Sequence, residues 1–236
     1  MGCDIHTNVE VRQADGSWKS IHEWKKEDHY MSPISEFMDN RNYDLFAILA
    51  NVRNGFGFAG VPTGAGFVPM AEPRGVPEDA SPEYRAWSEQ WDGDGHSHSY
   101  FTVAEMLAYD WTQTTKKTGL VGPSEFMRWK KDGEPNSWCG DVSGPNLKKL
   151  TAEEMDALIE KSGIDQWAIY RGDKEAMDAL HTAAGVEMSA FGSLYARVNW
   201  EIPYYRAGRQ FFADDLPRLL RLGKAEDVRI CFFFDN

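Results

Sequence analysis

The chain has 236 residues, 42% of them hydrophobic, and a formal net charge of -12. That is enough to bury a sizeable core, in one large domain or one domain with insertions. The acidic balance argues against general nucleic-acid binding, where phosphate contacts dominate affinity, and no apolar run approaches the roughly 20 residues of a membrane helix.

The chain opens MGCDIHTNVEVR. In a strand, side chains two apart share a face. Asp4, His6, Asn8 and Glu10 therefore fall on one side, and Cys3, Ile5, Thr7, Val9 and Val11 on the other. The second set reads as core, the first as wet surface or the floor of a site. The stretch lacks the basic and apolar regions of a secretion signal. His6 stands where a myristoylation pattern wants Ser or Thr. Parity turns Cys3 away from His6, against a cysteine nucleophile. With Cys139 and Cys231 it makes three scattered cysteines and no CxxC pair, which suits a reducing cytosol.

ADGSW signals a turn, and Trp18 to His22 reads as the return strand of a hairpin. In NYDLFAILANVRNG, Leu45, Ile48, Leu49 and Val52 recur at helical spacing, with a stop at Asn54-Gly55. Residues 55–82 are rich in glycine and proline and show no periodic element. A long ordered loop of this kind is often functional, and a variable insertion is the equal alternative. Its glycines form no Walker loop, since no Gly-Lys-Ser/Thr follows.

Ser81 and Pro82 then open a helix as N-cap and first residue. Thr102 with Glu105 forms a capping box that predicts a helix from about Val103 to Lys116. GPSEFMRWKKDG predicts a helix ended at Gly133. A second box, Thr151 with Glu154, opens a helix to about Ser162, and DKEAMDALHTAAG is a further helix with a glycine stop. SLYARVNWEIPYY is a candidate strand, and DDLPRLLRLG a short helix. DVRICFFFDN is a very apolar, central strand. Strands at both ends with helices and long loops between them predict an α+β fold. Its sheet, mixed or antiparallel, contains the N- and C-terminal strands. The whole is read as a single domain, 1–236.

Two segments concentrate chemistry. Asp4 and His6 lie on the first strand, and His96 and His98 in GHSHS. Carboxylate and imidazole are standard zinc and manganese ligands, so Asp4, His6, His96 and His98 are the expected catalytic and metal-binding set. Asp235, or Asp94, is a further ligand. A polar strand face and cap residues of a loop are the plainer alternatives. Arg74 is the expected phosphate partner, Asn8 and Tyr100 further substrate contacts. Trp87, Trp91 and Tyr100 flank the histidine pair, either as core or as a stack for a base or sugar. The implied activity is metal-dependent hydrolysis of a phosphodiester or nucleotide. The alternative is a binding protein that sequesters a small anionic, nucleotide-like ligand without chemistry. Either is compatible with a homo-oligomer.

Asp4-x-His6 and Gly95-His96-x-His98 locally resemble the two ends of the calcineurin-like metallophosphoesterase signature, which implies water activation by a metal pair. The central motifs of that family are missing between them, so only the chemistry carries over, as analogy. More extensively, the chain resembles a group of phage and bacterial proteins. The matches are MGCDIH at Met1 to His6, YDLFA at Tyr43 to Ala47, Arg74 to Pro77, HSHS at His96 to Ser99, and FDN at Phe234 to Asn236. The resemblance implies a phage or bacterial cytosolic origin and no particular substrate. For a phage, a signalling nucleotide of host defence is a candidate substrate.

Overall fold

The computed structural model describes residues 2–27, 30–34, 37–38, 40–187 and 193–236. In chain order the strands are β1 (Asp4–Arg12), β2 (Trp18–Ser20), β3 (Trp24–Glu27), β4 (Tyr30–Pro33), β5 (His96–Thr102), β6 (Thr114–Val121), β7 (Lys148–Thr151), β8 (Leu194–Pro203) and β9 (Val228–Asp235). The helices are α1 (Tyr43–Ala50), α2 (Pro82–Gln90), α3 (Val103–Ala108), α4 (Pro123–Asp132), α5 (Ala152–Ser162), α6 (Gln166–Arg171), α7 (Lys174–Ala184), α8 (Tyr204–Ala207) and α9 (Leu216–Leu219). Among the described residues no helix is long and apolar enough to cross a membrane.

The chain divides into two compact units, each built from separate stretches. Unit 1 takes 1–55, 67–113 and 203–236; unit 2 takes 56–66 and 114–202. The glycine- and proline-rich stretch is thereby shared out, with 56–66 in unit 2 and the rest in unit 1.

Unit 1 contains an antiparallel sheet of order β2-β1-β9-β5, so the fold is α+β with the two terminal strands paired. The pairing runs from Asp4 opposite Asp235 to Val11 opposite Val228. All of β9 except Asp235 is buried, as expected of a central strand. Cys3, Ile5, Thr7 and Val9 face the core side as the alternation requires.

The other face of β1 is not uniformly wet. Asp4 and His6 are partly exposed, whereas Asn8 and Glu10 are fully buried. What covers this face is an aromatic cluster. Tyr84 and Trp87 of α2 pack there with Ala80, Cys231 and Phe233, and Trp24, Met31, Trp91 and Tyr100 close its edge.

Helix starts follow the side-chain caps. Ser81 accepts from the Tyr84 N–H at the start of α2, and both capping boxes are formed, at α3 and α5. Gly133, Gly163 and Gly185 end α4, α5 and α7 in the left-handed conformation. Two expected ends are corrected. Helix α1 stops at Asn51, itself left-handed at φ 59. Asn54 instead ties down the following loop through Phe67, donating to its carbonyl at 2.7 Å and accepting from its N–H at 2.6 Å. Helix α3 ends at Ala108, well short of Lys116. Asp110 turns the chain by accepting from the Thr112 N–H at 3.0 Å, and the β-branched Thr114 and Thr115 enter β6.

Unit 2 holds a sheet of order β6-β8-β7 in which β7 and β8 run parallel, together with α4 to α7. Its segment 56–66 lies along β6 through a bridge between Gly64 and Lys117. A Cβ on Gly64 would overlap the Lys116 carbonyl, so the close approach admits only glycine.

Candidate functional site

The polar side chains of the unit 1 sheet fall into two zones. The first is a buried ionic network around Glu10. Its Oε1 accepts from the Ser81 N–H at 2.8 Å and from Asn8 at 3.2 Å, and its Oε2 accepts from Arg229 Nε at 2.7 Å. Arg229 also donates to Asp79 Oδ1 at 2.7 Å and lies over the Trp18 ring at 4.1 Å. Burial disfavours the Arg229 charge, yet Cys231, Asp79 and Glu10 together raise its pKa. Burial pushes the adjacent Cys231 thiol far above its ordinary value. This network corrects the expected role of Asn8. It is fully buried, donates to Glu10 and accepts from the Ser20 hydroxyl at 2.7 Å, so it holds the fold and meets no ligand.

The second zone lies where β1 begins, β9 ends and β5 begins. It gathers side chains from far apart in sequence. Asp4 and Asp235 oppose each other across the strands, an arrangement that like charges disfavour unless compensated. Arg41 supplies the compensation for Asp4 through a two-armed contact at 2.5 and 2.6 Å. That hydrogen bond lowers the Asp4 pKa below its ordinary 3.8. Asp235 accepts from the Asp4 N–H at 3.1 Å and stands 3.3 Å from His6 Nε2. Arg53 donates to the Gly2 carbonyl at 3.2 Å and to Asn236 at 3.0 Å, and the Asn236 amide reaches His96 Nε2 at 2.9 Å. Segments of MGCDIH, YDLFA, HSHS and FDN therefore meet at one end of one sheet; Met1 lies outside the described residues.

The four expected metal ligands nevertheless do not share a centre. Ser97 has a positive φ of 51, and the β5–β9 register shifts between His96 and Ser99. Such a bulge inserts one residue and reverses the alternation. His96 and His98, two apart, are thereby split between faces: His96 stacks on Phe234 and His98 on Phe233, adjacent residues of β9. His6 also stacks on Phe233, at 4.9 Å against 5.0 Å for His98. The phenyl ring sits against both imidazoles, whose strands flank β9. Among the described residues no three His, Cys, Asp or Glu side chains are grouped to hold a metal ion. As arranged, this donor set does not fit the expected zinc or manganese.

Arg74, the expected phosphate partner, donates to Glu105 at 2.8 Å and to the Tyr100 carbonyl at 3.2 Å, and lies over the Phe101 ring. Its guanidinium belongs to the α3 capping box. Tyr100 packs at the edge of the aromatic cluster, and Asp94 is exposed in the turn after α2.

One member of the set faces a cavity. His98 lines a cleft of about 310 Å³ with Val76, Ser88, Trp91 and Gly95, and Glu89 and Asp92 stand at its exposed rim. The Nε2 of His98 and the Nε1 of Trp91 are buried without a hydrogen-bond partner among the described residues. Buried polar atoms are rarely left so. Desolvation, and then His96, lowers the His98 pKa; desolvation also lowers that of His96.

A pH dependence follows. The unfolded chain takes protons on these histidines as the pH falls through 6.5, while the folded chain resists. Their contribution is therefore whole above 6.5 and is lost below it. Asp4 acts in a separate window, below 3.8. Thermal melts should show a falling Tm as the pH drops below 6.5, with a shallower slope in His98→Gln. An identical slope in both proteins would refute the assignment.

Arg41, Arg53 and Asn236 are site residues that the motif reading does not single out together. Asp4 and Arg41 are 37 residues apart, and nothing local announces their contact. Comparisons with known protein families, with curated proteins and with solved structures find no match to this chain.

Proposed function

We propose that the chain is a binding protein for a small anionic, nucleotide-like ligand, taken up where β1, β9 and β5 meet. One observation carries this reading. Asp4, His6, His96 and Asp235 are already engaged with protein groups, whereas His98 lines an open cleft beside them. Arg41, more than half exposed, and Arg53 supply guanidinium groups for the anionic part of the ligand. A cytoplasmic location agrees with the unpaired thiols of Cys3, Cys139 and Cys231.

A second reading is hydrolysis of a phosphodiester or nucleotide, and the His6–Asp235 contact favours it. A carboxylate that orients an imidazole is the usual support of a general base. The two readings separate on the fate of the ligand. The protein is incubated with a panel of linear and cyclic nucleotides, with and without chelator, then denatured, and the nucleotide is recovered by chromatography. Binding predicts intact recovery and a ligand-induced rise in Tm that chelator leaves unchanged. Product that disappears in His6→Ala would replace binding by hydrolysis. No rise in Tm with any nucleotide, and no product, would remove both.

A further inference from the structure

We infer that residues 73–77 are a strap that guards the outer edge of β5 against pairing with β5 of a second copy of this chain. The inference is independent of the proposed ligand. In the sheet order β2-β1-β9-β5, β5 is an outer strand. Its sequence, HSHSYFT, holds no lysine, arginine, acid or proline. Those are the residues with which edge strands commonly repel other strands. The edge is also self-complementary, because two copies set antiparallel offer each other the same backbone groups. Protection therefore comes from outside the strand, and three devices share it. The bulge at Ser97 breaks the start of the edge. At its far end the Thr102 N–H is taken by Glu105 at 2.8 Å. Between them lies the strap. The Gly75 N–H donates to the His98 carbonyl at 2.8 Å, and Arg74 Nη1 donates to the Tyr100 carbonyl at 3.2 Å.

The chemistry of the strap suits this task. Pro73 and Pro77 bracket it and carry no N–H, so it covers one edge without offering a regular new one. Gly75 takes a φ of 81, a conformation that costs glycine little. The flanks are pinned: the Met70 N–H donates to the Ile48 carbonyl at 2.7 Å, and Asp79 accepts from Arg229 at 2.7 Å. Val76 packs against the aromatic cluster. Arg74 is the fastening. Besides the Tyr100 carbonyl it binds Glu105 at 2.8 Å and lies 4.4 Å from the Phe101 ring. One side chain thus ties the strap both to β5 and to the capping box that closes the far end of the edge. Part of the glycine- and proline-rich stretch thereby has a role in place of a variable insertion.

Two variants of the full chain loosen the strap by different means. Arg74→Ala removes the fastening. Gly75→Ala strains the backbone at positive φ, with nothing within 4 Å of the added methyl. Both positions are exposed, so the core is left intact. Amide exchange is followed by NMR, and association by sedimentation from low micromolar to several hundred micromolar protein. The parent should sediment alike at every concentration. Exchange at Gly75 should be about tenfold faster in Arg74→Ala and about fivefold faster in Gly75→Ala. Both variants should associate as concentration rises, and association should protect the Tyr100 amide, which points to the same side as its carbonyl. Faster exchange without association overturns the guard. Association that leaves the Tyr100 amide unprotected also overturns it, as does a parent that itself associates with that amide protected. Unchanged exchange at Gly75 in Arg74→Ala overturns the fastening and with it the strap.

Discussion

Arg229→Met is expected to destabilise unit 1 by about 3–5 kcal/mol, the range for breaking a buried ion pair from one side. Arg229 is almost wholly buried, and the Glu10 carboxylate it pairs with is completely so. Without the guanidinium, Glu10 keeps, among the described residues, the Ser81 N–H, the Asn8 amide and the weak Cys231 thiol as donors. Those are too few for a charge sealed from water. The loss of the cation over Trp18 adds to the deficit. Removing the stranded charge as well should recover part of it, so Arg229→Met with Glu10→Gln should be more stable than Arg229→Met alone. Denaturant unfolding of the three proteins measures this. A single variant within about 1 kcal/mol of the parent would show that the network contributes little.

Phe233→Ala should cost a similar amount, about 3–5 kcal/mol. The ring is fully buried and touches His6, His98, Tyr84, Trp87 and Trp91. Few single side chains join so many aromatic partners, and the cavity left behind cannot collapse while β9 is held by strands on both sides. Phe233→Leu keeps most of the volume and should lose under about 1.5 kcal/mol. The pair of variants separates packing from ring stacking. If leucine costs as much as alanine, ring stacking dominates and the volume argument fails.

Much of the fold is legible in the sequence because the controlling interactions are local or strictly periodic. A capping box closes within one helical turn, so Thr102–Glu105 and Thr151–Glu154 announced α3 and α5 by themselves. Alternation places Cys3, Ile5, Thr7 and Val9 in the core, as observed, whereas Val11 is only half-buried and Asn8 and Glu10 of the opposite face are buried as well. The arginine inside VRICFFFD is a charge in an otherwise apolar strand, and its partner Glu10 lies opposite it on the strand expected to pair there. The residue by itself announces no partner, since an arginine suits a phosphate as well as a buried carboxylate, and Glu10 lies 219 residues away in sequence.

The candidate site was harder. GHSHS looks like a loop because its extended form depends on hydrogen bonds to β9, more than a hundred residues away. The opposed directions of His96 and His98 depend on one bulge at Ser97, which no composition rule marks. The short strands β3, β4 and β7 and the helix α6 lack a periodic signal of useful length. The length of α3 was overestimated because a start signal says nothing of where a helix stops.

The place of β9 in the sheet has a consequence in time. It lies between β1 and β5, and it is synthesised after both. Until Val228 to Asp235 leave the ribosome, β1 has, among the described residues, the three residues of β2 to pair with, and β5 lacks its partner strand. Closing it then joins residues more than two hundred apart, a late and slow event by the entropy of such loops. Unit 2 draws most of its chain from 114–202 and faces no such delay. Nascent chains should therefore carry the exposed edges of β1 and β5 until Val228 to Asp235 are made, which suits them to chaperones that mask unpaired strands.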